Sequence, residues 1–428
     1  MPTRRQLLLS TAAGALVGLP ARAASTPRRM VLVLANGGWD STFVFDPKFG
    51  VPGIDGPWVD EDPDDPDDRE YEQTFGEIPV VCNAVKRPTV TRFFEKYGER
   101  SALVNGVWTG TIAHDPARYR VLTGRNVVHQ ADITTVIGRQ LGAALPLGSV
   151  DLCGLSFTGP LAASTGQAGY QSQVRNLVLP EGAFRPPAGA DYTYPLFVPD
   201  EEDMDRVRRH LEGRTADFAA QFGGDGSRND QRLSARLEAL DRAGRFRTAG
   251  ADAVAALDLG ERPDMNRQVD VAVELLDQDL CSTVLIEAVA NWDTHRVNFT
   301  QHANFEVLFE GLERLADALA ARGMLEDTLV AVTSEMTRTP KINAALGKDH
   351  WPQTSWLFFG GSTRGGTRYG ATTDLLEAAP IDWIGGGASA AGEVLRYDHV
   401  TAGVMAAMGV DPGPYFGDAT PFLTWWGG

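Results

Sequence analysis

Between residues 283 and 335 short apolar runs flank one amphipathic stretch, and this constrains the fold more than anything else in the chain. Residues 283–290 are rich in β-branched side chains and too few for most helices, so they read as a buried strand. Residues 301–322 place Phe305, Leu308, Leu312, Leu315 and Leu319 on one helical face and stop at Gly323. Residues 328–333 are strand-like again. Strand, helix, strand is the crossover unit of a parallel sheet. Runs at 30–35, 101–107 and 355–359 supply further strands of an α/β domain. No internal repeat is visible.

Polar residues cluster where these strands should end, and in open α/β sheets ligands bind beyond the carboxyl ends of the strands. Asp293 and His295 follow the first run, Glu335 follows the 328–333 run, and Asp349 with His350 come shortly after. After 30–35 the chain breaks into Asn36-Gly37-Gly38-Trp39-Asp40-Ser41, whose glycines permit a tight turn and close approach to a ligand. Asp40 is either a ligand or an Asp closing that turn, and Ser41 is a weaker candidate nucleophile. His114 lies beyond the 101–107 strand. Carboxylates and imidazoles together suit zinc or manganese, with magnesium or calcium as alternatives. Such a metal would polarise a phosphoryl or acyl oxygen and acidify a water, and two ions could clamp both reacting oxygens. Each residue alone has a bland reading, a helix cap or a hydrogen-bonded structural histidine; their recurrence at strand ends points to a site. His129, His302 and His399 are left out of it, and His210 reads as a surface residue.

The amino terminus carries Arg4-Arg5, an apolar stretch over residues 7–19 and Ala21-Arg22-Ala23. Charged region, apolar region and small-residue cleavage site make a secretory signal peptide over residues 1–24, with the arginine pair of the twin-arginine export route. The stretch falls short of the roughly 20 residues that span a bilayer. A periplasmic or secreted protein without a membrane span in its mature form is expected, with the twin-arginine machinery as its export partner. Losing Arg4, Arg5 and Arg22 would take the net charge of −17 to −20, which repels phosphate backbones and argues against nucleic acid. Three cysteines, Cys82, Cys153 and Cys281, allow at most one disulfide; Cys281 reads as core.

Residues 55–70 form a proline-broken acidic run, expected to be an exposed loop rather than a calcium site. Residues 89–97 suggest a short helix. Residues 201–222 and 230–257 have helical spacing, so 200–265 reads as a helical insertion or lid on a domain covering 25–428. Asp398 can cap a helix running through Met405 and Met408. Trp58 and Trp425-Trp426 are the only hint of polysaccharide binding.

Two resemblances sharpen this. Pro116-Ala117-Arg118 followed by Leu122-Thr123-Gly124-Arg125 resembles the sulfatase segment after the modified nucleophile, with His114 where those enzymes carry Cys or Ser. No formylglycine can form at a histidine; Arg118 matches the family's arginine and would hold an anionic group bidentately. Trp292-Asp293-Thr294-His295 with Asn298, Thr333-Ser334-Glu335-Met336 and Gly347-Lys348-Asp349-His350-Trp351-Pro352 are similar to an exported bacterial family known as domain of unknown function 1501. That family is placed in the alkaline phosphatase/sulfatase superfamily. The resemblance implies a doubly wound, mostly parallel α/β sheet with helices on both faces. It also implies metal ligands: Glu335 takes the place of the superfamily's Asp, Met336 that of its His, and His350 resembles its later His. The first-strand Asp corresponds to Asn36 or, by charge, Asp40. The departures at Met336 and His114 leave two metals, one or none open.

The expected function is a metal-dependent hydrolase of a phosphate or sulfate ester, on a small-molecule or glycan substrate. Asp40, Asp293, His295, Glu335, Asp349 and His350 would be the metal ligands, and His114, Arg118 and Ser41 the catalytic groups. The alternative is an exported binding or assembly protein that keeps the fold without catalysis.

Overall fold

The structure is a computed structural model and describes residues 28–167, 200–224, 226–255, 263–417 and 419–428. The expected signal peptide lies outside them. In chain order the strands are β1 Arg29–Ala35, β2 Tyr71–Phe75, β3 Ile78–Cys82, β4 Ser101–Trp108, β5 Ser149–Asp151, β6 Thr165–Gln167, β7 Thr283–Glu287, β8 Thr328–Ser334, β9 Thr337–Arg338, β10 His350–Trp351, β11 Gln353–Phe359 and β12 Thr367–Gly370. The helices are α1 Pro88–Tyr97, α2 His114–Thr123, α3 Ile133–Leu141, α4 Glu201–Phe222, α5 Arg228–Ala255, α6 Met265–Asp277, α7 Gln301–Ala321 and α8 Tyr397–Ala407.

Eight strands form one sheet in the order β12-β4-β11-β8-β1-β7-β5-β6. Strand β1 pairs in parallel with β7 on one side and β8 on the other, so helix α7 carries the chain from β7 across β1 to β8. Only β11 runs against its neighbours, β4 and β8. The α/β class and the mostly parallel sheet therefore hold; the antiparallel strand was not legible, because an apolar run does not encode its direction.

Strand β1 explains why such runs are unbroken. Val31, Val33 and Ala35 join one core with Phe93 of α1, Val269 of α6 and Leu308, Leu312 and Leu315 of α7. Met30, Leu32 and Leu34 join a second core with Val121 of α2, Ile137 of α3 and Val404 of α8. Helices cover both faces, so every position from Met30 to Ala35 is buried and apolar.

Three expectations change, and the cysteine reading, at most one disulfide, stands. Helix α8 is capped by Arg396, and Asp398 sits inside its first turn, where it binds the Arg396 guanidinium. Trp425 is fully buried and stacks on Phe358 at 3.9 Å, so the polysaccharide reading loses its surface. The acidic loop is not wholly solvated: Asp68 is buried and ion-paired with Lys86 at 2.8 Å, and Glu70 is paired with the buried Arg87. Such carboxylates are turned inward because a buried cation left alone would be far costlier. All three cysteines are free thiols.

Candidate metal centre

The site lies at the carboxyl end of the parallel strands. β1 delivers Asn36, Gly37 and Gly38, β7 leads to Asp293 and His295, and β8 to Glu335. β4 leads to His114, the first residue of α2. Because β11 runs the other way, the chain enters it from this same edge, and His350 of β10 stands just before it. The two glycines are required by crowding. A Cβ on Gly37 (φ +130°) would lie 2.9 Å from Asp293 N, and one on Gly38 (φ +86°) 3.0 Å from Met336 Cγ.

Three imidazoles converge on one carboxylate oxygen. Asp293 Oδ1 is 3.3 Å from His114 Nε2, 3.2 Å from His295 Nε2 and 3.1 Å from His350 Nε2. His295 and His350 bring their Nε2 atoms to 2.9 Å of each other. His114, Asp293 and His350 each offer a ligand atom within 4.8 Å of the others'.

The far side of each ring fixes what faces inward. His114 Nδ1 is 2.8 Å from Glu335 Oε1, His295 Nδ1 2.9 Å from Asp349 Oδ1, and His350 Nδ1 2.6 Å from Ile112 O. Carboxylates and carbonyls accept, so each Nδ1 carries a proton and each ring turns its Nε2 toward Asp293 Oδ1. Ring nitrogens and a carboxylate oxygen held within 2.9–3.3 Å of their neighbours call for a cation or for shared protons between them. Ligand bonds of about 2.0–2.1 Å around a tetrahedral ion separate its donors by about 3.3 Å. His114, Asp293 and His350 therefore fit a divalent metal, with His295 beside them, and a hydrogen-bond acceptor behind each ring is the usual companion of a metal-bound imidazole. His114 Nε2 is buried and has no hydrogen-bond partner of its own.

Arg338 holds the carboxylate. Its buried guanidinium donates to Asp293 Oδ1 at 2.8 Å, to Trp292 O at 2.8 Å and to Gly38 O at 2.8 Å. Burial opposes the charged form of Asp293, but the bonds from Arg338 and His350 and the charges of Arg338 and His114 outweigh it, so the carboxyl is held down at about 2. The hydrogen bond to Glu335 raises the His114 pKa against the opposing pull of burial.

The residues expected from sequence separate into three groups. His114, Asp293, His295 and His350 meet, so His114, expected as a catalytic group, lies against the residues expected to bind metal. Glu335 and Asp349 lie one step out, as acceptors for ring nitrogens. Glu335 is fully buried and also takes the Gly37 N–H at 2.8 Å. Asp40 and Ser41 do not reach the cluster. Asp40 is buried against Lys348 Nζ at 2.7 Å and takes further bonds from Thr42 and Asn298, so its oxygens are already engaged. Ser41 is fully buried, with its hydroxyl against Thr337 Oγ1 at 3.2 Å, out of reach of a substrate. Arg118 stands at the edge, donating to Asn36 Oδ1 at 3.3 Å and Asp115 Oδ1 at 2.7 Å. Sequence reasoning missed Arg338 and Lys348; Lys348 lies within a quoted segment and Arg338 two residues beyond another, but nothing local marks a lysine or arginine as buried.

A family model described as Protein of unknown function (DUF1501) matches residues 27–384. A search of curated proteins found no match. Among solved structures the chain is similar to a sulfatase from Pseudoalteromonas sp. at 12% identity, covering 92% of this chain and 70% of that one, with a TM-score of 0.39. It is similar to a protein in the alkaline phosphatase superfamily from Vibrio parahaemolyticus at 7% identity, covering 90% and 67%, TM-score 0.38. It is also similar to the alkaline phosphatase of the Antarctic bacterium TAB5 at 10% identity, covering 91% and 99%, TM-score 0.35. At these scores the likenesses assign neither substrate nor activity to the chain.

Proposed function

This chain belongs to the family described as Protein of unknown function (DUF1501), and we propose that it is an exported, single-metal hydrolase of a phosphate or sulfate ester. One observation carries the reading: three Nε2 atoms converge on one oxygen of Asp293, each ring held there by its own acceptor. His114, Asp293, His295 and His350 would hold the ion, zinc or manganese by their chemistry. When bound, it supplies Lewis-acid polarisation of the ester oxygen and lowers the pKa of a water.

The chain's own residues do the rest. Glu335 and Asp349 keep His114 and His295 in one tautomer, and Arg338 keeps Asp293 ionised and aimed. Arg118, at the rim, would take the anionic group of a small-molecule or glycan ester. With Ser41 buried and a histidine at the start of α2, attack is assigned to water: a bond forms from water oxygen to phosphorus or sulfur, the bond from that atom to the alcohol oxygen breaks, and the proton given up by water ends on the departing alcohol. Asp40 is committed to Lys348, which supports one ion rather than two. Export by the twin-arginine route to the periplasm or beyond, and helices α4 and α5 acting as an insertion or lid, belong to the same proposal.

A second reading rests on His114 standing where a hydroxyl or thiol nucleophile would be expected: a binding or assembly protein that keeps the fold and the ion without turnover. Elemental analysis of the purified mature protein and of Asp293→Ala, with a screen of aryl phosphate and sulfate esters, separates them. About one equivalent of metal, lost in the variant together with hydrolysis, is the expected result. Metal without turnover of any ester favours the second reading, and no metal even after reconstitution sinks the centre.

A further inference from the structure

The wall of the centre is built from two zipped segments. Lys348 N donates to Thr294 O at 3.0 Å and Asn298 N to Leu346 O at 2.7 Å, so the segment bearing His295 and the one leading to His350 run side by side. Each carries a bulky aliphatic residue in an unusual state. Val297, two residues after His295, has φ +52° and is 48% exposed; Leu346, four before His350, has φ +59° and is 57% exposed. A left-handed backbone is uncommon for any residue but glycine and a clear outlier for a β-branched one. Such strain persists where the surroundings impose it, and it gathers at ligand-binding sites. These side chains therefore carry a backbone cost without gaining core burial. One more exposed aliphatic adjoins the same centre. Ile112 is 57% exposed, and its carbonyl accepts the hydrogen bond from His350 Nδ1.

Resting on the hydrolase reading above, we infer that Ile112, Val297 and Leu346 form an apolar rim that receives an alkyl or aryl part of the substrate. The ester is then one of an apolar alcohol, its anionic group at the metal and Arg118 and its hydrocarbon against this rim. A fully hydroxylated or polyanionic sugar would leave the three aliphatics in water with nothing to cover them.

The test uses two non-hydrolysable probes, methylphosphonate and octylphosphonate, titrated calorimetrically into the zinc-loaded mature protein below the octyl compound's micelle concentration. Octylphosphonate is expected to bind tighter by about 10-fold or more, from the apolar area it covers. In a Val297→Asn/Leu346→Asn double variant the ratio is expected to fall toward one. Asn tolerates the left-handed backbone, so metal content and melting temperature should be maintained or the latter raised. Equal affinities in the metal-loaded wild type overturn the apolar rim alone. An undiminished ratio in the folded variant overturns the role of these residues. A protein that takes up no metal and binds neither phosphonate overturns the hydrolase reading and the rim with it.

Discussion

Lys348 Nζ lies 2.7 Å from Asp40 Oδ2, and both side chains are fully buried. A buried pair of this kind gains little over a well-packed apolar pair, but removing one member strands the other. Asp40→Asn is expected to lower stability by about 3–5 kcal/mol while metal content stays that of the wild type. Denaturant unfolding beside elemental analysis checks both; loss of metal in a folded variant would return Asp40 to the ligand set.

Glu335 and Asp349 contact the ring nitrogens of His114 and His295, so in the proposed centre they would act on the ion through a ring rather than directly. Asp349 is 64% exposed, so Asp349→Ala should fold normally yet weaken metal affinity by about 10–100-fold. Competition with a chelator dye measures this. Unchanged affinity would show that His295 needs no orienting partner. Glu335→Gln should weaken binding in the same range through His114, with a larger effect on stability because the site of substitution is buried.

His302 gives a pH prediction away from the centre. Its ring packs edge-on to Phe43 at 4.8 Å and touches the Arg87 guanidinium. Burial first, then repulsion from Arg87 and Lys86, pushes its pKa down to about 2. The unfolded chain takes up that proton near pH 6.5. The stability this neutral ring contributes is fully present above that pH and is lost as pH falls toward 2, at up to about 1.4 kcal/mol per unit. Between pH 6.5 and 5, His302→Gln should therefore lose stability less steeply than the wild type, by about 1 kcal/mol per pH unit. Parallel slopes in urea midpoints would refute the assignment.

Phe305 ties the α7 core to the loop that presents the carboxylate. It is fully buried, meets Trp292 edge-on at 5.1 Å and Trp39 at 6.2 Å, and Trp292 directly precedes Asp293. Phe305→Ala should cost about 3–5 kcal/mol by cavity formation. It should also weaken metal binding, since the cavity opens beneath Asp293. Calorimetric melting with and without added zinc reads the two effects separately.

What was legible in the sequence follows from burial. β1, β7 and β8 are covered on both faces, so they read as unbroken apolar runs, and the polar residues beyond them fall at the site edge by the geometry of a parallel sheet. Asp293 and His295 fall at that edge for this reason, and His114 follows β4 to it, whereas His350 reaches it from before the antiparallel β11. Their division of labour was not legible. Whether Glu335 ligates or orients depends on Gly37 N, nearly three hundred residues away in sequence, and whether Asp40 is free depends on Lys348. Both are contacts between distant segments, to which local spacing is blind. The same blindness hid Arg338, which reads as an ordinary polar residue until four backbone carbonyls and Asp293 surround it.

The bond between His350 and Ile112 O joins residues 238 positions apart. A centre drawn from such distant stretches does not exist in the unfolded chain, so uptake of an ion and completion of the sheet would be one coupled equilibrium. Binding at free concentration [M] would stabilise the native state by RT ln(1 + [M]/Kd), closing long loops that no disulfide closes here. Scarcity of the ion would then be felt first as a shorter lifetime of the folded molecule, before any change in the rate at which each surviving copy works.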